Sequence, residues 1–127
     1  MPALIQTGVL VDQQAQLDAA CAAIARDSLI AVDTEFARTT QFTPRLCLVQ
    51  IAAGSQVFCV DELAGLDTSP LWDILCSGTG LRVVHAAKQD LEVAWATYQL
   101  LPQPLFDTQL AAALIGHPAQ VGYAAVV

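Results

Sequence analysis

At 127 residues the chain is long enough for one compact domain with a sizeable core. It is 55% hydrophobic and only 13% charged, which excludes a disordered chain. The net charge is −7 with five Lys and Arg in total, which excludes non-specific binding of nucleic acid through a clustered basic surface. Contact with nucleic acid has to run through a local site, bound cations or a basic partner domain.

The opening "MPALIQTGVLVDQQ" lacks a basic leader region and a long apolar core, so no signal peptide is expected. "ALIQTGVLV" holds a short edge strand. "VDQQAQLDAACAAIARDS" places Leu17, Ala20, Cys21 and Ile24 at helical spacing, with Asp12 as its N-cap. Strand "LIAVDTEF" follows. "RLCLVQIAAG" is apolar on both faces, as a central strand requires. Gly54 and Ser55 signal a turn, and "QVFCVDEL" is the hairpin partner. Ser69 and Pro70 open a short helix with Leu71, Ile74 and Leu75 inward. "GLRVVHA" is a buried strand. In "AKQDLEVAWATYQLL", Leu91, Ala94, Trp95 and Tyr98 form an apolar stripe, so all four are expected in the core. "QPLFDT" is a short extended piece ending in Asp107, and "DTQLAAALIG" is a helix stopped by Gly116.

The first three full strands are joined by links too short for crossovers, so they form an antiparallel meander. The later strands alternate with helices and add in parallel. The fold class is α/β, a mixed sheet with helices on its faces. Cys21, Cys47, Cys59 and Cys76 show no metal-site spacing and lie among apolar residues, so buried free thiols and a cytoplasmic location are expected. The longest uncharged run, Thr108 to Val127, contains polar residues, Pro and Gly, so no membrane span is expected. Nothing in the sequence sets an oligomeric state.

Asp33 and Glu35 stand two apart near the end of a strand, so they project from one face while Val32, Thr34 and Phe36 point the other way. Two carboxylates held close share a proton or bind a cation, and Mg²⁺ and Mn²⁺ favour oxygen ligands; a solvated strand end or a helix cap is the equal alternative for the dyad alone. Asp90 enters the first turn of the helix after "LRVVH", where the helix dipole favours an anion. That strand end can lie beside the dyad, so three acids can converge on one rim. Asp107 suits an N-cap, with a supporting role behind the metal ligands as a second function. His85 ends a buried strand; a hydrogen-bonded supporting histidine is expected there rather than a general base or metal ligand. Thr34, Phe36 and Arg38 are candidate substrate contacts, although core packing is the plainer role for Phe36. Arg38, Arg45 and Lys88 lie near the acids and can pair with a substrate phosphate or with surface carboxylates.

"AVDTEFARTTQFTPRLCLVQIAAGSQVFCVD" and "VVHAAKQDLEVAWATYQLLPQPLFDTQLAAALIG" together resemble the exonuclease domain of the ribonuclease D family, from about Leu29 onward. The acid dyad in "DTEF", the Arg-to-Gln stretch after it, "H-A-x-x-x-D" and "L-P-Q-P-L-x-D-T-Q" occur in the family's order. The resemblance implies a ribonuclease H-like fold in the DEDD superfamily of 3′→5′ exonucleases. It matches Asp33, Glu35 and Asp90 to catalytic acids that, with one further Asp, hold two divalent cations, Mg²⁺ or Mn²⁺. It implies RNA 3′ ends as substrate, tRNA precursors among them, cut to 5′-mononucleotides.

The family's third motif is a Tyr or His followed four residues later by Asp, on a helix after "DTQ". Here Tyr123 is followed four residues later by Val127. The expectation is therefore one exonuclease domain over residues 1–127, truncated before the third motif, with impaired activity. A non-catalytic interaction module of the same fold and a DNA-directed 3′→5′ exonuclease are the alternatives.

Overall fold

The computed structural model describes residues 7–38 and 42–127. The elements run β1 (Val9–Val11), α1 (Gln14–Ile24), β2 (Leu29–Ala37), β3 (Arg45–Ala53), β4 (Gln56–Asp61), α2 (Ser69–Ser77), β5 (Leu81–Val84), α3 (Lys88–Tyr98), β6 (Leu105–Asp107), α4 (Thr108–Leu114) and a 3₁₀ turn at Tyr123–Ala125. The edge-strand reading of "ALIQTGVLV" is carried by β1; its first four residues lie outside the described residues.

One six-stranded sheet has the order β1-β4-β3-β2-β5-β6. The meander β2-β3-β4 is antiparallel, as its short links require, and Gly54 at φ 56 makes the β3–β4 turn. Strand β5 joins β2 in parallel and β6 joins β5 in parallel, each after a helix. Strand β1 adds to β4, also in parallel.

Burial alternates along β2, with Ile30, Val32 and Thr34 turned inward. Ile30 and Val32 share one hydrophobic cluster with Val49 and Ile51 of β3, Leu17 and Ile24 of α1, Leu71 and Trp72 of α2, and Val93 and Ala94 of α3. Three helices thus cover one face. The opposite face, carrying Ala31, Asp33, Gln50 and Val83, forms an open trough of about 620 Å³ bordered by Thr108 and Tyr123. Helix α4 ends before Gly116, whose φ of 103 suits a helix terminator.

Three expectations are corrected. The N-cap of α1 is Gln13, not Asp12; the Gln16 side chain accepts both the Asp12 and Gln13 N–H groups at 3.1 Å, holding both residues outside the helix. Trp95 is 51% exposed, because the inward stripe of α3 centres on Val93 and Ala94 rather than on Ala94 and Trp95. All four cysteines are free, but only Cys21 and Cys76 are buried; Cys47 and Cys59 are half-buried on the sheet.

The centring of α3 matters for the site. Asp90 lies three and four residues before Val93 and Ala94, so it shares their inward side and is half-buried.

Candidate active site

Strand β5 accompanies β2 only from Leu29 to Ala31 before the chain turns into α3. Beyond that point the β5 side of β2 has no strand neighbour, and a free N–H there needs a partner. Asp90 supplies it: its Oδ1 accepts the Thr34 N–H at 3.1 Å and the Thr34 hydroxyl at 2.5 Å. The acid in the first turn of α3 is thereby fixed against the residue that separates Asp33 from Glu35.

Asp33 and Glu35 are exposed and share a face, on the side opposite the buried Thr34. Burial pushes the Asp90 carboxyl above the usual carboxylate range; the Thr34 hydroxyl opposes this and the Asp33 charge adds to it. Asp33 and Asp90 therefore feel each other's charge. Among the described residues, no three His, Cys, Asp or Glu side chains are grouped closely enough to hold a metal ion. Asp33 and Glu35 project from the exposed face of β2, and Asp90 is seated against Thr34, the residue between them. The residues nevertheless fit a hard cation: they offer only oxygen donors, and one is a desolvated carboxylate beside a second negative charge.

Asp107 caps α4, accepting the N–H of Gln109 at 2.8 Å and of Leu110 at 3.4 Å. It also accepts the N–H of Ala86 at 3.0 Å and of Ala87 at 2.9 Å. These two residues lead into α3, and Ala86 adopts a left-handed φ of 58. Asp107 thus ties the entry of α3, and with it Asp90, to the end of β6. Burial works to raise its pKa, but the four backbone hydrogen bonds outweigh it and hold the carboxyl below its ordinary value.

His85 Nδ1 lies 2.9 Å from the Thr108 hydroxyl and Nε2 lies 2.9 Å from the Val121 carbonyl. The carbonyl can only accept, so Nε2 carries a proton and the ring is engaged on both sides. His85 pins the segment around Val121 to the end of β5. Phe36 follows a bulge between Glu35 and Phe36 and packs against the core. Arg38 lies over its ring at 5.5 Å and pairs with Glu92 at 3.5 Å. Thr34 is 8% exposed and engaged by Asp90, so its side chain faces an acid rather than an open surface.

Sequence reasoning did not reach two of these relations. The grip of Thr34 on Asp90 depends on where β5 leaves β2, a register that no local pattern encodes. The hold of Asp107 on Ala86 and Ala87 was signalled only by the adjacency of a strand end and a short extended piece.

A mixed sheet with an acid dyad on its central strand β2 and a third acid in the first turn of α3, the helix after the neighbouring strand β5, is an arrangement suited to hydrolysing phosphodiesters through bound cations. The chain belongs to a 3′-5′ exonuclease family, whose model matches residues 9–127. Within it, the chain is similar to ribonucleases D: it is 40% identical over 119 residues to that of Nitrobacter hamburgensis and 43% identical over 125 residues to that of Zymomonas mobilis. These alignments cover 93% and 97% of the chain but 31% and 32% of the relatives, so the chain spans about a third of their length. Among solved structures, Escherichia coli RNase D, described as an exoribonuclease involved in structured RNA processing, superposes with a TM-score of 0.87 at 38% identity, over 94% of this chain and 32% of that one. Brucella melitensis NrnC with bound Mg²⁺ superposes with a TM-score of 0.63 at 28% identity, over 72% of this chain and 46% of that one.

Proposed function

We infer that these residues form the acid-bearing part of a metal-dependent 3′→5′ exoribonuclease, acting on the 3′ ends of RNA such as tRNA precursors and releasing 5′-mononucleotides in the cytoplasm. The observation that carries this reading is the seating of Asp90 against Thr34, the residue between Asp33 and Glu35. Asp33, Asp90 and Glu35 are the residues that would hold two divalent cations, Mg²⁺ or Mn²⁺. When bound, such a pair supplies a hydroxide nucleophile and neutralises charge at the scissile phosphate and leaving oxygen. Thr34 fixes Asp90, Asp107 fixes the turn that delivers Asp90, and Arg38, paired with Glu92 after the end of β2, carries a charge suited to a phosphate. Support also comes from the ribonuclease D relatives and from the Mg²⁺ bound to NrnC. No helix among the described residues is long and apolar enough to cross a membrane.

The 127 residues carry three of the four acids that the resemblance implies. By themselves they should release little mononucleotide. The test joins this segment to the remaining two thirds of the Nitrobacter ribonuclease D and supplies 3′-labelled tRNA precursor with Mn²⁺. Release of labelled mononucleotide that is abolished by Asp33→Ala, Glu35→Ala or Asp90→Ala supports the assignment. A folded chimera without release, or release indifferent to all three substitutions, overturns it. Strong metal-dependent release by the 127 residues alone overturns the expectation of impairment.

A further inference from the structure

We propose that Thr34 is a positioning residue for the cation site: its hydroxyl and its backbone N–H together hold the Asp90 carboxylate by Oδ1 at the point where β5 leaves β2. The inference rests on the cation site described above and adds a residue whose side chain lies on the other side of the strand. Thr34 stands between Asp33 and Glu35 in sequence, yet its side chain turns toward the core. A strand residue so placed ordinarily serves packing alone. Here the hydroxyl is 2.5 Å from Asp90 Oδ1 and the amide is 3.1 Å from the same atom.

Two donors converging on one oxygen fix where the carboxylate stands relative to β2. They also favour its charged form, as hydrogen bonds to a carboxylate do. Both donors belong to the strand that carries the dyad, so the separation of Asp90 from Asp33 is set by a single residue of backbone. A second constraint comes from Asp107, which fixes Ala86 and Ala87 at the other end of the same turn. The third acid is thereby held from both sides before any cation arrives. Groups that orient ligands in this way typically contribute about 10–100-fold in metal affinity.

The test is Mn²⁺ affinity, measured by the electron paramagnetic resonance signal of free Mn²⁺ in titrations of the 127-residue chain and its variants, with folding checked by circular dichroism. Thr34→Val keeps shape and removes the hydroxyl; it should weaken binding about 10-fold. Thr34→Ser keeps the hydroxyl and drops the methyl; it should stay close to the parent. Thr34→Ala, lacking both, should fall with the valine variant and serves in its place should that variant not fold. Loss in the serine variant equal to that in the alanine variant would show that packing, not the hydroxyl, matters, and would overturn the proposal. So would a folded valine variant that binds as the parent does. Asp90→Asn separates the two readings. If it weakens binding while Thr34→Val does not, the cation site stands and the positioning role falls. If it leaves binding unchanged, or the parent binds no Mn²⁺, the cation site falls and Thr34 with it.

Discussion

Replacing Asp107 by Ala removes the acceptor of four backbone N–H groups on two elements. Loss of the α4 cap costs about 1 kcal/mol. The N–H groups of Ala86 and Ala87 lose their partner as well; Ala87 is buried, and an unsatisfied buried donor costs about 1–3 kcal/mol. Taking the lower end for each, because Ala86 is only half-buried, the sum is about 3 kcal/mol. For a chain of this size that corresponds to a fall in Tm of about 10 °C. The assay is thermal unfolding followed by circular dichroism at neutral pH. Asp107→Asn keeps one oxygen acceptor and turns an amide N–H₂ toward the Ala87 N–H, so a smaller loss of about 1–2 kcal/mol is expected. The folded carboxyl is held below its ordinary value. Its contribution is therefore present above the unfolded pKa of about 4 and is lost as pH falls through the folded value. The stability gap between parent and Asn variant should narrow in that acid range. An Ala variant melting within about 2 °C of the parent would refute the reasoning, since even a lost cap alone shifts Tm by more.

Other expectations follow from the same structure. The Glu62 carboxylate accepts from Tyr98 at 2.5 Å, Thr68 at 3.1 Å and Trp72 at 3.0 Å, and burial together with Glu62 pushes Tyr98 up to about 12. The raised value means that this stability is complete below the unfolded tyrosine pKa of about 10 and is lost as pH rises through the folded value. Glu62→Gln should bring the titration, read by ultraviolet absorbance, back toward 10, and an unchanged titration would dismiss Glu62 as a cause. Arg82 is 1% exposed and donates to the carbonyl oxygens of Ile74, Gly78 and Gly80. Arg82→Leu should destabilise by about 3 kcal/mol by stripping those carbonyls, and a urea midpoint equal to the parent's would contradict that role. Trp72→Ala should cost about 3–5 kcal/mol and Trp95→Ala under about 1, since the first ring is buried against Tyr98 and the second is half in water. Equal losses in thermal melts would contradict the corrected stripe of α3.

Much of this architecture is legible in the sequence because local rules decide it. Short links force the β2-β3-β4 meander, and period-two alternation puts Asp33 and Glu35 on one face. Asp107 as an N-cap also follows from residue type and place. What depends on how elements meet is not legible. The stripe of α3 is rotated by one position from the apolar reading, which exposes Trp95 and draws Asp90 inward. Thr34 looks like a packing or substrate residue until β5 is seen to leave β2 at Ala31. Arg82, inside an apolar strand, gives no sign in sequence that backbone carbonyls will receive it.

The central claim is that Asp33, Glu35 and Asp90 make one cation site. Paramagnetic broadening of backbone amide signals by substoichiometric Mn²⁺ tests it most directly. The account predicts early and joint loss of signals from Asp33 to Glu35 and around Asp90, with Asp90→Asn delaying the loss in both segments. Broadening that begins at other carboxylates, such as Asp12 and Asp18, while these two segments persist, would contradict it.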